Sequence, residues 1–223
     1  MKNMLFILDI ENMDFETTYR KYSSYIKEDR RSKINRFKAE IPKLHSLGAG
    51  IAFRQSLLRL GYSDFDIDNM NISYDSCGKP YFSNINDLFF NISHSGNYVI
   101  ISWSKNNIGC DVEEIDNKNC LDIAKRFFTE NEYNILIKIN DYNERQRMFY
   151  RLWTLKEAYI KHDGRGMGIE LNSFDIPLNI NQSTGQYFVN DVYLKEYYIN
   201  EKYCISAASA LNDFEDTLIS LKI

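Results

Sequence analysis

Trp153, Glu157 and Lys161 recur at four-residue intervals in Trp153-Thr154-Leu155-Lys156-Glu157-Ala158-Tyr159-Ile160-Lys161. At about 3.6 residues per turn they form one helical stripe, with successive members roughly 6 Å apart. Leu152, Leu155, Tyr159 and Ile160 flank that stripe with apolar surface, so part of the helix must lie against protein. One reading makes Glu157 and Lys161 an ordinary surface pair, worth about 0.2–0.5 kcal/mol. The other makes them a half-buried carboxylate and ammonium set in a cleft, and the rest of the chain bears on the choice.

At 223 residues the chain has room for one large domain or two small ones. Strand patterns at 4–10, 67–74, 88–92 and 98–104 alternate with helical patterns at 14–25, 27–38 and 44–60, the last ending at Gly61. The order then repeats. A strand at 107–112 precedes helices at 121–128, 130–139 and 145–161, then Gly164, Gly166 and Gly168, and strands near Phe174, at 186–198 and at 203–208. With an offset of roughly 105 residues, Tyr98-Val99-Ile100-Ile101-Ser102 falls on Tyr203-Cys204-Ile205-Ser206-Ala207. The expected fold is therefore α/β (α+β), in two similar halves related by pseudo-twofold symmetry, residues 1–105 and 106–223, with a ligand cleft between them.

The net charge of −4 is unevenly spread. From Arg20 to Lys43 nine basic residues face three acidic ones, a local +6 that leaves −10 for the remainder. Such a patch on an acidic protein argues against general nucleic-acid binding and for one anionic ligand, a solvated helix face being the plain alternative. The first residues lack a secretory cleavage pattern, and no apolar run approaches the ~20 residues of a membrane span, so a cytoplasmic protein without membrane contact is expected. Cys77, Cys110, Cys120 and Cys204 have no C-x-x-C spacing, and the three histidines form no zinc pattern.

Asp111 and Glu113 stand two apart in a strand, which places both carboxylates on one face. Side by side they repel unless a cation intervenes, and oxygen donors suit magnesium; a solvated acidic strand end is the alternative. Ser93 and His94, before Gly96, suit a phosphate contact or a simple turn, but not a hydrolase, because a nucleophile and its base come from separate parts of a chain. Gly78-Lys79-Pro80 is a rigid turn presenting one ammonium. Neither a Walker-type phosphate loop nor a dinucleotide glycine fingerprint is present.

In order, Lys79-Pro80, Asn91-Ile92-Ser93-His94-Ser95, Ile108-Gly109-Cys110-Asp111-Val112-Glu113, Ala124-Lys125-Arg126-Phe127-Phe128 and Trp153 to Lys161 closely resemble the 4′-phosphopantetheinyl transferase superfamily. The match is to its longer, monomeric, two-lobed members, which activate carrier domains of peptide and polyketide synthases. The basic stretch Arg30 to Phe37 also resembles that family's N-terminal segment.

The resemblance implies transfer of phosphopantetheine from coenzyme A to a serine of an apo acyl or peptidyl carrier protein, releasing adenosine 3′,5′-bisphosphate. It implies magnesium, with manganese as an alternative, on Asp111, Glu113 and Glu157, with Glu157 as base and Lys161 on the phosphates. Ser93, His94 and the turn Gly78, Lys79 and Pro80 would contact coenzyme A, with Arg30, Lys33, Arg36 and Ser46 near its 3′-phosphate. Glu132 has a supporting role. Where relatives carry arginine beside a small hydroxyl residue, this chain has His45-Ser46, which puts the 3′-phosphate contact in question or shifts it to Lys43. Phe127, Phe128, Tyr133, Leu136 and Ile137, within 120–139, are the expected carrier surface unless they belong to the core. A module that binds coenzyme A or a carrier without chemistry is the alternative, as is another magnesium-dependent phosphotransferase.

Overall fold

The computed structural model describes residues 1–178 and 184–223. The first half runs β1 (Met4–Asp9), α1 (Phe15–Tyr22), α2 (Glu28–Arg36), α3 (Glu40–Arg59), α4 (Asp64–Asp68), β2 (Ile72–Tyr74), β3 (Pro80–Phe82), β4 (Phe89–Ser95) and β5 (Tyr98–Ser104). The second runs β6 (Ile108–Glu114), α5 (Cys120–Phe127), α6 (Glu130–Lys138), α7 (Tyr142–Asp163), β7 (Gln186–Val189), β8 (Val192–Tyr197), β9 (Tyr203–Ser209) and β10 (Ile219–Leu221). Among the described residues no helix is long and apolar enough to cross a membrane.

Two four-stranded sheets, ordered β10-β1-β5-β4 and β6-β9-β8-β7, form the frame. The segment β1-β5-β4 corresponds in order to β6-β9-β8, and Tyr98–Ser104 lies 105 residues before Tyr203–Ser209. The run Leu5 to Leu8 is buried on both faces, which explains its unbroken hydrophobicity. Phe6 and Leu8 pack with Leu47, Ile51 and Leu57 of α3, whereas Leu5 and Ile7 join Cys110, Val112, Ile205 and Ala207 between the sheets. A third cluster sets Leu152, Leu155 and Ala158 of α7 against Leu194 and Ala208. The mixed α/β class expected from the sequence is present.

Several local readings change. The stretch 67–74 is a strand only from Ile72, because Ser63 and Asp66 form a reciprocal capping box that starts α4. Phe174 has extended backbone but, among the described residues, pairs with no strand. The helix expected from 44 begins at Glu40, with Pro42 in its first turn where no N–H is needed. β10 pairs in parallel with Phe6, Ile7 and Leu8 of β1, so the last residues of the chain join the first sheet.

α7 starts at Asp141, whose carboxylate accepts the Glu144 N–H at 2.8 Å, and stops at Gly164 in a left-handed conformation (φ 90°). Its last turns lie directly on β6. A Cβ at Gly109 would stand 2.1 Å from the Ala158 carbonyl oxygen and 2.4 Å from the His162 nitrogen. Both obstacles are backbone and cannot rotate aside. Gly109→Ala should therefore cost about 1–3 kcal/mol in chemical denaturation by forcing β6 and α7 apart. Unchanged stability would show that the helix can retreat without loss.

Candidate active site

Contact between β6 and α7 puts Lys161 over Asp111, with Nζ 2.6 Å from Oδ1. Ser93 of β4 completes a triangle, its Oγ donating to the same Oδ1 at 2.8 Å and accepting from Lys161 Nζ at 3.0 Å. Asp111 is only 2% exposed, and its second oxygen, Oδ2, is buried without a hydrogen-bond partner among the described residues. Glu113, on the same face of β6, accepts from Ser95 Oγ at 3.0 Å. Glu157 lies one turn before Lys161 on α7 and is half-buried.

Charge in this cluster is unbalanced. Burial, and then the Asp111 carboxylate, push Glu113 up to about 7 and raise Glu157 as well. Burial alone would lower Lys161, but the adjoining Asp111 carboxylate outweighs it and raises the ammonium. Three acidic groups thus face one cation. Ile92, Ser93, His94, Asp111, Glu113, Trp153, Glu157 and Lys161 wall a cleft of about 420 Å³.

Among the described residues, no three His, Cys, Asp or Glu side chains close around a common point. Magnesium, however, takes only one or two protein carboxylates and completes its octahedron with water and substrate phosphate. An open wall of carboxylates with one orphaned oxygen is a donor set that such an ion fits, and Asp111, Glu113 and Glu157 are the residues able to hold it.

Ser93 and His94 do not lie in a turn between strands, because β4 continues through Ser95. Consecutive strand residues face opposite ways, so Ser93 points to β6 while His94 stacks on His45 of α3 (ring centroids 4.4 Å apart, planes at 19°). Burial, followed by the neighbouring His45, Lys161 and Lys33, holds His94 below its ordinary value and therefore neutral at pH 7. His45 is fixed by a 2.8 Å hydrogen bond from Nε2 to the Gly96 carbonyl. Lys43 sits over the Phe15 ring. Ser46 is buried with a hydroxyl that has no partner among the described residues, Arg30 is tucked beside Tyr74, and Lys33 and Arg36 are exposed. Of the basic segment, Lys33 is the member whose charge is felt at His94.

A second cleft, of about 700 Å³, shares Trp153, Glu157 and Lys161 with the first. Gly78, Lys79 and Pro80 line it, as do Phe127, Ile160, Ile169 and Leu171. Lys79 Nζ donates to the His162 carbonyl at 2.9 Å, so this ammonium tethers the end of α7. Trp153 packs against Phe127, Phe128 and Phe149 and also borders both clefts. In the expected carrier surface, Phe128 and Leu136 are core; Phe127 and Tyr133 are half-buried, and Ile137 is exposed.

The frame behind α7 is built from buried charges. Lys156, fully buried, pairs with Glu132 at 2.9 Å and donates to the carbonyls of Leu171 and Phe174. Glu132 also accepts the Ile176 N–H at 2.9 Å, so its supporting part is to bind α6, α7 and the following segment together. Arg151 grips Glu196 through Nε and a second nitrogen at 2.7 and 2.8 Å. Sequence reasoning missed Gly109, Asn91 and Ser95 as site-building residues; the only available signal was their place inside the two motifs.

A family model described as 4′-phosphopantetheinyl transferase superfamily matches residues 107–211, and another, 4′-phosphopantetheinyl transferase, N-terminal, matches 14–106. The 4′-phosphopantetheinyl transferase Sfp of Bacillus subtilis is 31% identical over 204 residues, 89% of this chain and 88% of its own length. The chain belongs to the 4′-phosphopantetheinyl transferase superfamily. Another member, 4′-phosphopantetheinyl transferase gsp of Aneurinibacillus migulanus, is 33% identical over 82% of this chain and 74% of its own. A solved holo-(acyl-carrier-protein) synthase from Bacillus anthracis aligns at a TM-score of 0.38 with 19% identity, over 46% of this transferase and 92% of that chain.

If Glu113 is a ligand of this transferase's cation, the ion must displace a proton near neutrality, since the raised group is neutral below about 7 and charged above it. Manganese affinity by calorimetry should therefore rise from about pH 6 to 8 with proton release. A pH-independent affinity would remove Glu113 from the ligand set.

Proposed function

We propose that this chain transfers the 4′-phosphopantetheine group of coenzyme A to a serine hydroxyl of an apo acyl or peptidyl carrier protein, releasing adenosine 3′,5′-bisphosphate. The observation that carries the reading is the cleft in which Asp111, Glu113 and Glu157 face Lys161, Ser93 and His94. A non-catalytic binder of coenzyme A has no need of a half-buried carboxylate beside its phosphate cation.

Asp111, Glu113 and Glu157 would hold magnesium or manganese, which when bound offsets charge on the pyrophosphate. Glu157 is half-buried on the cleft wall with a raised pKa, and it takes the proton from the carrier serine as that oxygen attacks phosphorus. Lys161 keeps its charge because Asp111 lies beside it, and it faces the negative charge that grows on the departing bisphosphate. Neutral His94 offers the phosphates a hydrogen bond rather than a charge. His45 Nε2 is engaged by the Gly96 carbonyl, and the contact to the 3′-phosphate is assigned to Lys33, the member of the basic segment whose charge is felt at His94. The apolar walls of the larger cleft and the exposed part of 120–139 would receive the carrier.

Mass measurement of apo carrier proteins incubated with coenzyme A and magnesium should show the gain of one phosphopantetheine group. Glu157→Gln should slow that gain by about 10²–10⁴-fold with the fold intact. No gain on any of several apo carriers would overturn the proposal, and a Glu157→Gln variant of undiminished rate would remove Glu157 as base.

A further inference from the structure

β4 and β6 are edge strands of different sheets, and among the described residues they share no backbone ladder. Side chains join them instead. Asn91, Ser93 and Ser95 alternate along β4 and so share one face. Asn91 Oδ1 accepts the Cys110 N–H at 3.1 Å, Ser93 donates to Asp111, and Ser95 Oγ donates to Glu113 Oε2 at 3.0 Å while accepting the Glu114 N–H at 3.0 Å. The two serines differ in what they leave behind. Asp111 keeps Lys161 if Ser93 is removed. Glu113 has no ion-pair partner and no hydrogen-bond donor other than Ser95 among the described residues.

A hydroxyl has a single proton. With an Oγ lone pair of Ser95 engaged by the Glu114 N–H, that proton remains free to point at Glu113 Oε2, the acceptor it meets at 3.0 Å. We propose that Ser95 is a positioning residue for the divalent-cation site, fixing the Glu113 carboxylate beside Asp111 by a bond from the opposite half of the molecule. The proposal rests on the reading of Asp111, Glu113 and Glu157 as cation ligands. Outer partners that orient ligands typically contribute about 10–100-fold to metal affinity.

The test is manganese binding to the enzyme alone, followed by electron paramagnetic resonance, for Ser95→Ala, Ser95→Thr, Glu113→Gln and the double variant Ser95→Ala with Glu113→Gln. Ser95→Ala should weaken manganese by about 10–100-fold, while Ser95→Thr, which keeps the hydroxyl, restores it. In the Glu113→Gln background Ser95→Ala should add nothing. Kinetically, Ser95→Ala should raise the manganese needed for half-maximal rate and leave kcat at saturating metal near the parent value, a split that general loosening of the fold would not give. If Glu113→Gln weakens manganese and Ser95→Ala does not, the positioning role is overturned while the ligand reading stands. If Glu113→Gln leaves manganese unchanged, the ligand reading itself fails, and this proposal with it.

Discussion

The contact between Lys161 and Asp111 is the interaction on which the site depends. A carboxylate as deeply buried as Asp111 is costly without a partner, and a lysine ammonium at 2.6 Å offsets much of that cost. It does not offset all of it. Asp111 Oδ2 stays bare, and Glu113 and Glu157 are held above the ordinary carboxylate range by burial and by Asp111. A divalent cation would answer both deficits, by coordinating carboxylate oxygen and by balancing the excess negative charge.

Holding that contact requires α7 to lie against β6 at backbone distance, and Gly109 permits this by lacking a Cβ. The rest of α7 is fixed from behind. Lys156 to Glu132 and Arg151 to Glu196 are buried pairs, and removing one member of such a pair typically costs about 3–5 kcal/mol. One helix therefore spends two charged side chains on its own placement and presents Glu157 and Lys161 to the cleft. Across the seam, β4 contributes hydroxyls rather than charges, so the second half supplies the acids and the first sets their direction.

How much of this the sequence made legible follows from the range of each interaction. The stripe Trp153, Glu157, Lys161 and the repeat of β5 in β9 were readable because each lies within one strongly periodic segment. The three residues of β10 carry no such signal, and their partner β1 lies at the other end of the chain. Ile67 reads as part of a strand at 67–74, but the Ser63–Asp66 capping box places it in α4. Lys156 gave no sign of burial, since its partner Glu132 lies on another helix. Likewise nothing in the sequence pairs His45 with His94, which lie on different elements and meet only through the fold.

On the proposed function, one site at this seam takes both the divalent cation and the coenzyme A pyrophosphate. Anomalous scattering from crystals grown with manganese and coenzyme A tests it most directly. The predicted result is a manganese peak bounded by Asp111 Oδ2, Glu113 and Glu157, with the pyrophosphate on it and beside Lys161. A manganese peak away from these carboxylates, or coenzyme A phosphates bound away from Lys161, would rule this shared site out.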